Sequence, residues 1–559
     1  MGDKLEVSVK KKHFIGVLEI VFALCLAGAV TIGRSVYNFN TVSAIMRAPE
    51  ENAAVFLFLF IPLLFVFAFA GKLVGKNASK ETYSEDDVPK FYKWLPFIAA
   101  FLVCASSVLA LLSYFPGILG YDSEWQTLQA FGVLPMSNHH PVLHTLIWNF
   151  FAALEWWGVP HPYGLVIYCI VQMIITSCVC GYVVKCEIDE GCKWPLPVIT
   201  ALFYALYPAF SVFSIQMTKD VFFSCAVIML VLKLIKAGRG EKVSPVTVFI
   251  FVTLASLLRN NFLPAGAVLV IVLFFLRKKE GMKNALYASL AAVIVSAATL
   301  MFVYPMCGVV KSESHESLSV PINQVAAVYV HRYSELTLPE KFIIEQYMSA
   351  GKYNARLADT VKFTFNDELY DSDKSAFWDL YMHLIKRFPG EFVDAFLTQN
   401  VQLWYPGALV TDKYAARDYV ETDNVFVYVY KVSRSPVIPE MKGFYDMVIE
   451  EIENAGLIEG LPFSLSIPFL ALVFALYLAI KYKHSGYLAG VLVSGALWGT
   501  YLLGPVSAFR YMYPFYMLVP VFVNPLFARK QAHETKAAES GAAEEPAKEE
   551  TEDPVINEE

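Results

Sequence analysis

Two carboxylates two positions apart, Asp122 and Glu124 in the run YDSEWQ, and two adjacent histidines, His139 and His140, share a stretch from Phe115 to His144 that contains no lysine or arginine. The stretch follows a long apolar run, and ionisable groups beside a membrane span are candidates for function. A carboxylate within hydrogen-bond reach of a hydroxyl can serve as a general base, and Asp122 is the leading candidate. The plainer possibility is a helix N-cap, since an aspartate ahead of SEWQTLQAF caps well. On a strand Asp122 and Glu124 would share a face, and on a helix they would diverge. Tyr121, Glu124 and Gln126 are placed to contact a sugar or an acceptor, and His139 and His140 to hydrogen-bond a substrate. His140 and His144 lie four apart, on one helical face, and with Asp122 they could bind a divalent metal. No cofactor is required by the pattern, and no metal ligand is assigned.

Three cations suit the other half of such a reaction. Lys219, Arg259 and Arg510 each stand at the end of an apolar run, and guanidinium groups meet phosphate oxygens through paired, charge-assisted hydrogen bonds. A leaving phosphate that gains negative charge would be stabilised there. Asn260 and Asn261 add neutral donors beside Arg259. Each cation has a plainer reading, as a side chain that snorkels toward lipid headgroups, and Lys219 has a ready ion-pair partner in Asp220. Glycosidases need a second acid to protonate a poor leaving group. A phosphate-activated donor does not, which fits a single principal carboxylate.

The elements that must position these groups are membrane spans. The chain has 559 residues, 56% of them hydrophobic and 17% charged. Its apolar runs repeatedly reach the ~20 residues that cross a ~30 Å hydrocarbon layer. Twelve stretches qualify: 14–32, 53–71, 95–115, 163–184, 195–215, 220–236, 245–258, 263–276, 284–306, 463–480, 486–504 and 511–527. The lysines and arginines concentrate in every second loop. Lys72 to Lys93, Lys185 and Lys193, Lys233 to Lys242, Arg277 to Lys283, and Lys481 and Lys483 therefore mark the cytoplasmic side. The fold class expected is an all-α polytopic membrane protein with both termini cytoplasmic. Counting Val142 to Gly158 as a further span would put the basic loops outside, so it is read as a helix lying in the interface, with Trp148, Trp156 and Trp157 as anchors. The Asp122 loop and the three cations then fall on one side, although that side was fixed by other charges.

The expected organisation is a cytoplasmic N-terminus (1–13), a transmembrane region (14–308) with the catalytic outer loop at 116–162, and an extracytoplasmic, mainly helical domain (309–462) between spans nine and ten. A second transmembrane region (463–527) and an acidic tail (528–559) complete it. In the 309–462 insert, PINQ at 321–324 reads as loop, KSAFWDLYMHLIKRF as an amphipathic helix, and NVFVYVYKV as a strand. The tail is too polar to fold. It accounts for part of the formal charge of -7, so the acidity says nothing about substrates, and no nucleic-acid partner is expected. The nine cysteines lie mostly in apolar runs and make no disulfide framework; Cys186 and Cys192 could at most hold a metal.

These residues resemble a known family. FPG after an apolar span, the aspartate of YDSEWQ, HHP ahead of an interfacial helix, many spans and a late outer domain are similar to the GT-C glycosyltransferases, closest to a branch found in Gram-positive bacteria. The resemblance runs loosely over 95–527. It implies transfer of a sugar from a polyprenyl-phosphate-linked donor, with Asp122 in the place of the catalytic acidic residue of the first outer loop and 142–158 as the interfacial helix. Many relatives carry D-E or E-x-D where this chain has Asp122-Ser123-Glu124, and two extra spans precede the loop. Lys219, Arg259 and Arg510 as the donor-phosphate site rest on chemistry, not on a family motif. The expected partners are that donor and membrane lipids, with the acceptor left open, and the expected location is the cell membrane. Two rival readings remain: a secondary transporter, which should show two matching halves, and a non-catalytic envelope-assembly protein.

Overall fold

The computed structural model describes residues 15–80, 82–83, 90–192, 194–408, 432–454, 464–528 and 530–531. The acidic tail and nearly all of NVFVYVYKV lie outside the described residues. The first half is built from α1 (Val17–Phe39), α2 (Pro49–Lys80), α3 (Leu95–Ser113), α4 (Tyr121–Ala130), α5 (Val142–Ala152) and α6 (Tyr163–Asp189). It continues with α7 (Leu196–Leu206), α8 (Pro208–Ser214), α9 (Lys219–Gly238), α10 (Pro245–Leu258), α11 (Phe262–Leu276) and α12 (Glu280–Ala298), the last extended through a π-turn to Met306. Among the described residues the strands form two parallel pairs of two residues each: β1 (Thr82–Tyr83) with β4 (Lys530–Gln531), and β2 (Ile118–Leu119) with β3 (Gln216–Met217).

Among the described residues, six helices are long and apolar enough to cross a membrane, in α1, α2, α3, α6, α9 and α12. Large apolar side chains stand exposed along them, Phe58 at 78% and Phe101 at 70%, which is stable only against lipid or another apolar surface. The chain is a helical membrane protein. All twelve apolar stretches are helical, but six differ from a simple span. The stretch 195–215 breaks at Pro208 into α7 and α8, bent by 56°, because Pro208 cannot donate to the preceding turn. The other five helices that fall short of full length are α10, α11, α20 (Ile467–Tyr482), α21 (Ser485–Tyr501) and α22 (Phe509–Val523). The segment 142–158 forms only an eleven-residue helix and a 3-10 turn, Ala153–Trp157. At ~1.5 Å per residue α5 is about 16 Å long, half of what a crossing needs. Trp156 and Trp157 are exposed as an interface would require, whereas Trp148 is fully buried and donates to Thr127 Oγ1 at 2.9 Å.

At the centre stands α9, its Val221, Ile228, Leu230 and Leu234 inaccessible. Gly486 and Gly490, four apart on α21, let that helix lie directly against it: a Cβ on Gly486 would run into the Leu234 carbonyl oxygen, and one on Gly490 would sit 2.9 Å from Val231 Cγ1. Small residues at this spacing allow backbones to approach closely in lipid. Gly486→Val is therefore expected to lower stability by about 1–3 kcal/mol, the usual range for overpacking, read as an earlier thermal unfolding in detergent; unchanged unfolding would show that the contact yields freely.

The insert carries its own core. Its helices are α13 (Ser319–His331), α14 (Leu338–Tyr347), α15 (Asp359–Lys362), α16 (Asp367–Ser372), α17 (Lys374–Arg387), α18 (Pro389–Asn400) and α19 (Pro439–Asn454). Phe377 and Leu384 of α17 are inaccessible and pack with Ile322, Val325 and Tyr347. PINQ is helical rather than loop. Pro321 stands in the first turn of α13, where a missing N–H leaves no hydrogen bond unmade. The insert is moored to the ends of other helices: Asn400 Nδ2 donates to Leu502 O (2.9 Å), Gln399 Nε2 to Gly504 O (2.6 Å), and Asp394 accepts from Val42 N (2.8 Å).

Candidate functional site

Two apolar runs end and two helices begin beside one another. β2 follows α3 and β3 follows α8, paired in parallel so that Ile118 meets Gln216 and Leu119 meets Met217. Gly117 makes the preceding turn possible, with φ at +135° and a Cβ position occupied by Cys169 Sγ. From these strands α4 and α9 start side by side. Ser123 Oγ donates to Met217 O (2.7 Å) and accepts from Gly120 N (3.0 Å), which fixes the first turn of α4 onto the start of α9. Thr218 caps α9 through its side chain, accepting from Asp220 N. Asp122 and Lys219, 97 residues apart, are thereby brought into contact.

Asp122 is held by two cations. Lys219 Nζ pairs with its Oδ2, and Arg510 Nη1, from the first turn of α22, lies 3.2 Å from Oδ1. His140 Nδ1 stands 3.9 Å from Oδ2. Behind Lys219 a second pair is sealed away: Arg259, following α10, binds Asp220, and their side chains are 7% and 1% exposed. Thr218 Oγ1 donates to the other Asp220 oxygen at 3.0 Å. The Arg259 guanidinium also lies over the rings of Tyr511 (4.8 Å), Tyr501 (5.3 Å) and Phe223 (5.7 Å), a cage that favours a desolvated cation. Neighbours in sequence do not face each other on a helix, so Lys219 pairs with Asp122 and leaves Asp220 to Arg259.

The charges set the protonation states. Burial alone would push the Asp122 carboxyl up, but Arg510 and Lys219 outweigh it and hold the group well below the usual carboxylate range. Burial pushes the His140 imidazole down to about 3, against the pull of Asp122, so His140 is uncharged at neutral pH. Its Nε2 is buried without a hydrogen-bond partner among the described residues. Glu124, raised by burial, sits two positions along α4 and so faces away from Asp122.

The remaining candidates divide into contacts and supports. Tyr121 opens α4, but its side chain lies outside what is described. Gln126 is inaccessible, with its amide taken up by Thr145 Oγ1 (3.0 Å) and His144 Nδ1 (3.0 Å). It braces α4 from beneath instead of facing outward. The network continues through Tyr168, whose hydroxyl is 2.8 Å from His144 Nε2, to Gln172, which donates to Gln216 O at 2.7 Å. This binds α4, α5 and α6 to β3, and no spacing in the sequence announced it. His139 Nδ1 lies 3.6 Å from Glu313 Oε2 at the start of the insert. Asn260 Nδ2 donates to Asn138 O (3.2 Å) and Asn261 Nδ2 to Thr500 Oγ1 (3.1 Å), so both asparagines tie loops together. With His144 committed to this network, Asp122, His140 and His144 do not come together as a metal set. Among the described residues, no three of His, Cys, Asp and Glu gather as a metal site.

All of these groups, and the moorings of the insert, lie at one end of the bundle. The other end gathers Arg239 on Glu190, Lys185 on Asp189, Lys481 on Glu19 and Lys279 on the Gly238 carbonyl. Fold and site together define a helical membrane protein with a charged, partly buried cluster at one pole. A family model described as "Family of unknown function (DUF6020)" matches residues 133–540, more than half of the chain, and the chain belongs to that family. The matched stretch takes in His139, His140, Lys219, Arg259 and Arg510 and begins beyond Asp122. No curated protein and no solved structure matches the chain.

Proposed function

We propose that this protein is a GT-C-type glycosyltransferase of the cell membrane, moving a sugar from a polyprenyl-phosphate donor to an extracytoplasmic acceptor. All twelve helical stretches would cross the membrane, with both termini and the basic pole in the cytoplasm, as the positive-inside rule favours. The Asp122 pole and the 309–462 insert would then face outward. The observation that carries the reading is the convergence of two cations on one carboxylate: among the described residues, Lys219 and Arg510 both meet Asp122 in a partly buried place, with Arg259 and Asp220 paired behind them. Two cations aimed at one point can hold an anion between them.

A sugar phosphodiester supplies it and gains more charge as it reacts. The acceptor hydroxyl oxygen attacks the anomeric carbon, and the bond from that carbon to the phosphate oxygen breaks with its electron pair going to phosphate. The hydroxyl proton passes to Asp122. The leaving phosphate then carries a second negative charge, which Lys219 and Arg510 stabilise more strongly in the transition state than in the donor. Arg259 is reserved for Asp220, so its part is to hold the start of α9 and thereby Lys219. Purified protein incubated with polyprenyl-phosphate sugars and an envelope fraction should release free polyprenyl phosphate. Arg510→Gln and Lys219→Gln should each slow that release about tenfold or more, the worth of one charged hydrogen bond. Failure of wild-type protein to release polyprenyl phosphate from any common hexose donor, or full activity of both variants, would overturn the reading.

A further inference from the structure

A base needs a proton affinity near the working pH, and Asp122, clasped by two cations, does not have one in the ligand-free protein. We propose that the donor phosphate and Asp122 compete for the same pair of cations, so that phosphate binding draws Lys219 and Arg510 away and switches the carboxylate on as the base. This inference rests on the glycosyltransferase reading and adds to it an order of events: no donor, no base.

The geometry favours exchange over addition. Asp122 has a short side chain on a helix whose first turn is fixed by Ser123 to Met217, so it stays where it is. Lys219 and Arg510 reach it from α9 and α22 on long side chains with many rotamers, and these can swing. Arg259, the third cation of the cluster, is caged on Asp220 and does not replace them. Among the described residues, the charged and titratable groups that face Asp122 are Lys219, Arg510 and His140; Glu124 points elsewhere and Asp220 is taken by Arg259. A phosphate offers several oxygens to the two cations where Asp122 offers one to each, and so it competes well for both. Once they turn to it, Asp122 keeps only a neutral imidazole and a new anion beside it, both of which raise its affinity for a proton. The ligand-free enzyme would thus hold its base inactive and spare stray hydroxyls from deprotonation.

Coupling of this kind is reciprocal: whatever factor phosphate adds to the proton affinity of Asp122, neutralising Asp122 adds to the affinity for phosphate. The full-length protein in detergent would be titrated calorimetrically with polyprenyl phosphate, with polyprenol as the uncharged control. Asp122→Asn is expected to bind polyprenyl phosphate about tenfold more tightly than wild type, within the usual range for coupled sites, while Lys219→Gln binds more weakly. Equal or weaker binding by Asp122→Asn overturns the exchange and leaves the glycosyltransferase reading standing. Absence of phosphate-dependent binding in every protein overturns both. Should Asp122→Asn not fold, wild type titrated with a polyprenyl methyl phosphodiester, which carries no proton of its own near neutral pH, in two buffers of different ionisation enthalpy, decides instead: proton uptake on binding supports the exchange and its absence refutes it.

Discussion

Asp122→Asn is expected to cut the rate of sugar transfer by about 10²–10⁴-fold, the usual worth of a positioned general base. The loss should fall on turnover, because asparagine keeps the shape of the side chain while removing its capacity to take a proton. Unfolding is a poor alternative explanation. Asparagine keeps an amide oxygen that can still accept from Lys219 and Arg510, so neither cation is left without a polar partner. The fixing of α4 runs instead through Ser123 and the Gln126–His144–Tyr168 network. Release of polyprenyl phosphate from a labelled donor checks the rate, and thermal unfolding checks integrity. A variant that keeps wild-type turnover would remove Asp122 from the chemistry and favour a structural or transport role for the cluster.

Much of this arrangement can be read from the residues alone. All twelve apolar stretches became helices because hydropathy and length leave a chain in lipid few alternatives. The basic loops at 185–193, 233–242, 277–283 and 481–483 lead to the expectation that Asp122, Lys219, Arg259 and Arg510 share one side, and in the fold Lys219 and Arg510 both meet Asp122 with Arg259 paired behind them. What pairs with what is less legible. β2 and β3 are two residues each, shorter than any period of alternation, yet they set Asp122 beside Lys219. Asp220 looks like a partner for Lys219 only because it is adjacent in sequence, whereas helical geometry turns it inward to a residue 39 positions away. Gln126 and Trp148 sit in segments rich in polar or interfacial residues, and only the packing of α4 on α5 shows that both are buried. Gly486 and Gly490 carried a readable signal, two small residues four apart in an apolar helix, that marks the tightest contact of α9.

Asp220→Ala should be the most destabilising single change at this pole. Removing one partner of a buried ion pair costs about 3–5 kcal/mol, since the survivor keeps its charge without its counterion, and arginine cannot escape by losing its proton. Arg259 would remain at 7% exposure with only the Tyr501, Tyr511 and Phe223 rings and a displaced Lys219 around it. The same change removes the acceptor for Thr218 Oγ1 and loosens the first turn of α9, from which Lys219 projects. A shift there of about 1 Å is enough to lower a rate roughly 10²-fold, so residual folded protein should also transfer slowly. Replacing both partners by apolar residues of similar volume, Asp220→Leu with Arg259→Met, leaves no unpaired charge and should recover most of the stability. It should not restore full transfer, because Lys219 would lack the neighbour that keeps the start of α9 in place. Thermal unfolding of the single and double variants in detergent measures the first claim and polyprenyl phosphate release the second. A single variant as stable as wild type would mean that water reaches Arg259, and that the pair is not the buried support on which the position of Lys219 depends.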